Sequence, residues 1–326
     1  MKRRELITVF GGVAATWPLV AHAQQPVMPV IGFLDPRTPE AITDRLRGFR
    51  QGLKDAGLVE GENVAVLYRY AEYQLERLPG LAVDLIRRQV NVLVTGGGPA
   101  TLAAKAATAT TPTVFVLGDD PVRLGLVTSL ARPEGNLTGI NILNEELATK
   151  RLEFLRVLVP TATRISVLVN QAEPGAENQL REVHAAALVM GLKLQIANVN
   201  TTGEIYGAFE TMERERPDAL FVSATPFLAG RRVQLVQLAA FHRLPAAFSL
   251  REYPDVGGLM SYGANVVDAY RQGGAYTGRI LKGSKPADLP ILQSSKFELV
   301  INAGTARMLG LTVPTSLLAT ADEVIE

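Results

Sequence analysis

Chemistry in this chain has to come from small polar residues that close apolar runs, because the usual reactive side chains are scarce. The 326 residues hold no cysteine and three histidines, His22, His184 and His242. That removes thiolate catalysis, disulfides, iron–sulfur clusters and cysteine zinc sites, and leaves little material for histidine-based metal or triad chemistry. His184 falls inside an amphipathic helical pattern and His242 follows one, both ordinary helix positions. What recurs is Asp35 after VIGFL, Thr95 before Gly96-Gly97-Gly98-Pro99, and Asp119-Asp120 after TVFVLG. Further along come Asn170 after RISVLV, Ser223 and Thr225 after ALFV, and Ser249 within PAAFSL. In open parallel sheets, ligands sit in the loops beyond the carboxyl ends of the strands, where these residues fall.

Thr95, Gly96 and Gly97 lead into a helix opened by Pro99, and exposed amides there can hold a carboxylate or phosphate. The same residues also read as glycines ending a strand and a proline starting a helix. Asp119-Asp120 suits a ligand ammonium or an Asx turn before Pro121. Catalysis is the weaker reading, since a buried pair of like charges needs partners. Phe33, Phe227, Tyr253 and Tyr262 fall at expected loop mouths, where a ring can stack on a ligand; Phe115, Phe221 and Phe248 belong to the core. Arg251 and Glu252 follow a strand and are placed to bridge a cleft on closure. GGGPAT lacks the Gly-x-Gly-x-x-Gly spacing because position 101 is Thr, and no Walker A, Gly-x-Ser-x-Gly or His-Glu-x-x-His run is present. The expectation is a non-catalytic binding protein with no metal and no cofactor.

These loops need strands and helices to carry them. Continuous apolar strands alternate with amphipathic helices from Val30 to Gly118, and the rhythm restarts after Leu137-Thr138-Gly139-Ile140. Such alternation indicates parallel sheets covered on both faces. The two runs match in order: Gly32–Asp35 with Val167–Asn170, Asp55–Leu58 with Val189–Leu192, Arg87–Val94 with Arg214–Phe221, and Pro112–Phe115 with Pro245–Phe248. The expected fold class is α/β, two doubly wound Rossmann-like lobes. The lobes are expected at 27–138 and 139–262. A tail, 263–326, has a helix at Val266–Leu281 and a strand at Phe297–Ile301, and must return to one or both sheets. Several crossings make a hinge, which permits closure.

Residues 1–23 carry Lys2, Arg3 and Arg4, an apolar run from Leu6 to Val20, and the small-x-small site Ala21-His22-Ala23. That is the anatomy of a cleavable signal peptide, and Arg3-Arg4 before Glu5-Leu6-Ile7 resembles a twin-arginine signal. Without a cysteine to carry lipid, the exported chain is expected free in a periplasm. Lys and Arg number 33 against 32 Asp and Glu, so no charge excess favours nucleic acid or an anionic membrane. A monomer with a small-molecule partner is the expectation.

Several blocks are specific: Pro29-Val30-Ile31-Gly32-Phe33-Leu34, Phe49-Arg50-Gln51-Gly52-Leu53, Gly118-Asp119-Asp120-Pro121-Val122, and Arg132-Pro133-Glu134-Gly135-Asn136-Leu137-Thr138-Gly139. Lys150-Arg151-Leu152-Glu153, Gly258-Leu259-Met260-Ser261-Tyr262-Gly263 and Lys296-Phe297-Glu298-Leu299-Val300-Ile301-Asn302 continue them. Over nearly all of the chain after the leader, the sequence resembles the periplasmic substrate-binding components of ABC transporters, in the subgroup related to tryptophan and other aromatic amino-acid binding proteins. The resemblance implies a type 1 periplasmic binding protein fold with a multi-strand hinge. It also implies capture of an amino acid-like carboxylate between the lobes and an ABC permease of the inner membrane as partner. On that reading Thr95, Gly96 and Gly97 hold the carboxylate, and Asp119, Asp120 and Asn170 answer an ammonium or hydroxyl. Ser223, Thr225 and Phe227 form the opposing wall, Phe33 and Tyr262 pack on an apolar portion, and Asp35 and Ser249 line the loops. The alternatives are a sensory domain serving a membrane kinase, or an enzyme on the same fold, against which the missing nucleophile and base speak.

Overall fold

The unbroken apolar run VIGFL forms β1 (Val30–Asp35), buried from Ile31 onward, as a strand covered on both faces must be. In the computed structural model, which describes residues 28–143 and 147–326, it opens the first of two lobes. The expected leader, residues 1–23, lies outside the described residues. Chain order continues with α1 (Thr43–Asp55), β2 (Ala65–Tyr70), α2 (Leu78–Arg87), β3 (Val92–Gly96), α3 (Gly98–Ala107), β4 (Thr113–Leu117) and β5 (Leu137–Asn141). The second run is α4 (Leu147–Leu158), β6 (Arg164–Val169), α5 (Ala176–Val189), β7 (Lys193–Asn198), α6 (Thr202–Glu215) and β8 (Ala219–Val222). It ends with α7 (Pro226–Gly230), α8 (Arg232–Phe241), β9 (Ala246–Phe248) and β10 (Met260–Ala264). The tail supplies α9 (Val266–Leu281), β11 (Leu292–Gln293), β12 (Phe297–Asn302), α10 (Ala303–Met308), α11 (Thr315–Thr320) and β13 (Glu323–Ile325).

The sheets run β11-β5-β4-β3-β1-β2 and β13-β12-β10-β9-β8-β6-β7. Both therefore contain the same doubly wound order, with the direction of winding reversing at β1/β3 and at β6/β8. Pairing is parallel throughout the first sheet, and the antiparallel β10–β12 ladder is the exception in the second. The internal repeat extends to the caps: α1 and α5 both end in a left-handed glycine, Gly57 at φ 76° and Gly191 at φ 68°. The amides of Leu58 and Leu192 return to the carbonyls of Leu53 and Ala187, so each helix is stopped by the same motif.

The lobe limits differ from the sequence expectation. The β4–β5 ladder continues to Leu117 opposite Asn141, so the first lobe runs past residue 138. A limit at 262 would likewise cut β10. The tail serves both lobes: α9 packs on α1 and the first sheet, β11 adds to β5, and β12 returns to the second sheet. The chain thus passes between lobes three times, after β5, after β10 and after β11. The helical stretch from Pro226 to Phe241 is broken at Arg231, which sits at φ −106° and ψ 19° and separates α7 from α8.

Helix α9 docks on α1 through a stripe of glycines. A Cβ on Gly52 would collide with the Arg271 carbonyl, and one on Gly274 with the Phe49 carbonyl. Gly52→Ala should therefore cost about 1–3 kcal/mol through forced separation of the helices. Gly80→Ala in α2, where nothing lies within 4 Å, should leave stability equal or slightly higher. Thermal denaturation of the two variants checks this.

Candidate functional site

Both winding reversals open onto one cleft between the lobes. Arg37, Arg45, Gly97, Asp119 and Tyr270 line it from the first lobe, and Glu173, Pro174, Thr225, Ser249 and Leu250 from the second, around some 610 Å3 of open space with its mouth included. The cleft is held shut across its walls. Arg45 Nη2 donates to Glu252 Oε1 at 3.2 Å, so Glu252 bridges the lobes as its position suggests. Arg251 instead stays within the second lobe, paired with Asp255 and Glu323. The Arg231 guanidinium lies 3.7 Å from the Phe227 ring centroid and 5.2 Å from that of Tyr73 in the opposite lobe.

The floor of the first-lobe wall is a buried ion pair. Arg37 Nε and Nη2 reach Asp35 Oδ1 and Oδ2 at 2.8 and 2.7 Å, and Nη2 also donates to Tyr270 Oη at 2.9 Å. Burial opposes charge on this guanidinium, but the Asp35 carboxylate and the Tyr270 hydroxyl outweigh it and hold the group above its ordinary value. Gly96 is required beside it: a Cβ there would enter the space of Asp35, Tyr270 and Arg37.

The expected ligand residues divide accordingly. Gly97, Asp119, Thr225 and Ser249 line the cleft. Gly97, at φ 82°, adopts a conformation that L side chains avoid. The Asp119 carboxylate faces the first turn of α3, where a Cβ on Gly98 would fall 2.5 Å from Asp119 Oδ2. The positive end of α3 is thereby answered by the chain's own acid, not left open as an anion cradle. Thr95 is buried with its hydroxyl 2.9 Å from that of Thr101, Asp35 pairs with Arg37 beneath the cleft, and Gly96 leaves the room for that pair. Asn170 and Phe227 line a neighbouring cavity, about 580 Å3 with its open mouth included, that shares Glu173 and Pro226 with the first.

Other expected residues lie away from the cleft. Phe33 is fully buried among Phe49, Tyr68 and Tyr270, because its side of β1 faces α1 and α9. Tyr262 meets the Phe154 ring edge at 5.0 Å, on a face of β10 turned from the cleft. Tyr253 stacks on Phe248 at 4.3 Å. Asp120 accepts from the amides of Val122 and Arg123 at 2.8 and 3.2 Å, serving the turn. Ser223 is buried beneath Thr225, its hydroxyl unpartnered. Thr225 caps α7 through Leu228 N–H at 3.3 Å.

Arg37, Arg45 and Glu173 are the charged cleft residues that the sequence reading passed over. Arg45 is 4% exposed and its Nε has no partner. Glu173 Oε1 accepts from Phe227 N–H at 2.9 Å. Burial pushes this carboxyl up to about 7, against the pull of the Phe227 amide, Arg37 and Arg231.

Two lobes of matching topology, joined by three crossings around a buried polar cleft, define a hinged small-molecule receptor of the type 1 periplasmic binding protein kind. The chain belongs to the ABC transporter substrate-binding protein family, whose model matches residues 31–325. It is similar to a tyrosine-binding protein of Clostridioides difficile strain R20291, with 24% identity over 263 residues, covering 81% of this chain and 75% of that one. It is also similar to the ABC domain in complex with L-Trp from Streptococcus pneumoniae, at 27% identity and a TM-score of 0.85. A conserved domain protein of Vibrio cholerae O1 biovar El Tor gives 25% identity and a TM-score of 0.86. Each of these two structures covers 91% of this chain, which covers 99% of theirs. The family comprises substrate-binding proteins, not enzymes, and such proteins are generally extracytoplasmic. Among the described residues no helix is long and apolar enough to cross a membrane, and no acid, histidine or cysteine cluster could hold a metal.

Removing one partner of the buried pair leaves an uncompensated charge. Asp35→Ala should cost about 3–5 kcal/mol, whereas Asp44→Ala, which breaks an exposed pair with Arg47, should stay within about 0.5 kcal/mol; urea denaturation distinguishes them. Glu173 acts through pH. Unfolded, it ionises near 4.5, and folded near 7, so its stabilising contribution is complete below about 4.5 and is lost as pH rises to 7. Glu173→Gln should therefore be more stable than the parent by on the order of 2–3 kcal/mol at about pH 8, with a much smaller gain at about pH 5.

Proposed function

We propose that this protein is the solute receptor of an ABC importer, capturing an amino acid-like molecule, with aromatic amino acids foremost. The observation that carries the reading is a cleft in which buried groups of both signs, supplied by both lobes, face one small volume. A zwitterion is the ligand class such a cleft complements, and the names of the relatives point to tyrosine and tryptophan. Arg45, with its unpartnered Nε, takes the ligand carboxylate. Ser249 and Thr225 supply the opposite wall together with Glu173. Closure brings these groups together, and the closed lobes are then presented to a permease. The exported form begins after Ala23, is sent out by the twin-arginine route, and works in a periplasm.

Differential scanning fluorimetry with the free amino acids tests this. L-Tyr or L-Trp at about 100 times its Kd should stabilise by about 2.7 kcal/mol, a rise of several degrees in Tm. Arg45→Ala should reduce the shift sharply. The ligand should be recovered unchanged by mass spectrometry. A panel giving no shift, or a ligand converted during incubation, contradicts the proposal.

A further inference from the structure

Among the described residues, Glu173 Oε2 is the one carboxylate oxygen that is buried with no hydrogen-bond partner. The residue is 4% exposed and lies between the cleft and the neighbouring cavity, lining both. Its Oε1 is fixed by the Phe227 amide, so the carboxyl cannot turn Oε2 toward that donor without losing the first bond.

The groups around it are engaged elsewhere. Arg37 is committed to Asp35 and Tyr270. Arg45 reaches Glu252 through Nη2, and Arg231 donates to Thr202 and to the Phe227 carbonyl. Asp119 faces the first turn of α3, Glu76 stands at the outer cavity, and Tyr73 and Tyr270 complete the charged or titratable surroundings. A buried acceptor left in this state is costly, and a cationic N–H donor is the group that repairs it best.

We propose that Glu173 is a specificity-determining residue of the cleft: Oε2 takes the cationic nitrogen of the ligand, and its capture expels the Glu173 proton to solvent. The inference rests on the reading of the cleft as an amino acid receptor site. The ligand keeps its ammonium protons, and the O–H bond of the Glu173 carboxylic acid is the one that breaks. In the empty cleft, burial holds that carboxyl near 7. Binding of a cation therefore weakens about tenfold for each pH unit below 7. A ligand lacking the nitrogen leaves the carboxyl buried and unsatisfied.

Isothermal titration of the full chain tests this with L-Tyr, L-Trp and their des-amino counterparts, 3-(4-hydroxyphenyl)propionate and indole-3-propionate. Titrations run at about pH 5.5 and about pH 8, in two buffers of different ionisation enthalpy. The expected result is binding of an amino acid at the higher pH, at least tenfold weaker binding at the lower, and proton release visible as buffer-dependent heat. Des-amino acids should bind at least a hundredfold more weakly at pH 8. Glu173→Gln, which retains the acceptor for Phe227, should flatten the pH profile and narrow the discrimination. Equal affinity at both pH values without proton release, or equal affinity for the des-amino acids in the parent protein, overturns the assignment while leaving the receptor reading intact. Failure of every probe to bind at either pH instead removes the receptor reading, and this assignment with it.

Discussion

A guanidinium sealed inside a protein has to be answered completely, and the clamp on Arg37 sets much of the rest of this fold. Its carboxylate comes from the end of β1 and its hydroxyl acceptor from α9, which reaches the first lobe only after the chain has built the second. The space for both comes from a glycine at the end of β3. Three segments far apart in sequence are thus fixed at one point, directly beneath the cleft. Without the return of α9 the ion pair would lack its Tyr270 bond and α1 would lose the helix against which its glycines pack. The three-crossing hinge is a consequence of that return as much as a device for motion.

The clamp also separates rigid from adjustable parts of the cleft. Arg37 is locked within the first lobe, so it shapes the wall and supplies a fixed positive field. Arg45 and Glu173 are different: Arg45 spends part of its guanidinium on Glu252 across the gap, and Glu173 has one oxygen fixed and the other free. The Arg45–Glu252 contact joins the two lobes, whereas the Glu173–Phe227 bond lies within the second. A ligand that binds the closed state better than the open one shifts the hinge by that difference in affinity.

The architecture was legible in the sequence because strands covered on both faces must be continuously apolar, and runs such as VIGFL and ALFV leave little choice. The repeat was legible for the same reason, down to Gly57 and Gly191, whose left-handed caps no other residue type serves as well. The site was legible as a set of loops, since sheet topology dictates where ligands go, but not as a set of side chains. Phe33 lies within the expected loop region, yet its pleat phase turns it into the core, and periodicity without knowledge of the packing partners does not reveal which face that is. Arg45 carried a readable signal: it stands four residues before Phe49 on the buried stripe of α1, where a charged residue demands a reason. Glu173 gave no such signal: it is held by the amide of Phe227, 54 residues further along the chain, a pairing that no local pattern encodes. The short edge strands β11 and β13 were invisible for a similar reason, because their pairing is decided by neighbours distant in the chain.

A zwitterionic ligand should draw the two lobes together about the three crossings. The absence of native cysteine allows clean site-specific labelling at Gln74→Cys and Gln171→Cys, exposed positions in opposite lobes that flank the residues lining the outer cavity. Double electron–electron resonance between nitroxides at these sites measures the distance distribution across the cleft. The distribution should be broad and long in the ligand-free protein and collapse to a short, narrow one with saturating L-Tyr or L-Trp. An unchanged distribution with the ligand demonstrably bound would contradict it.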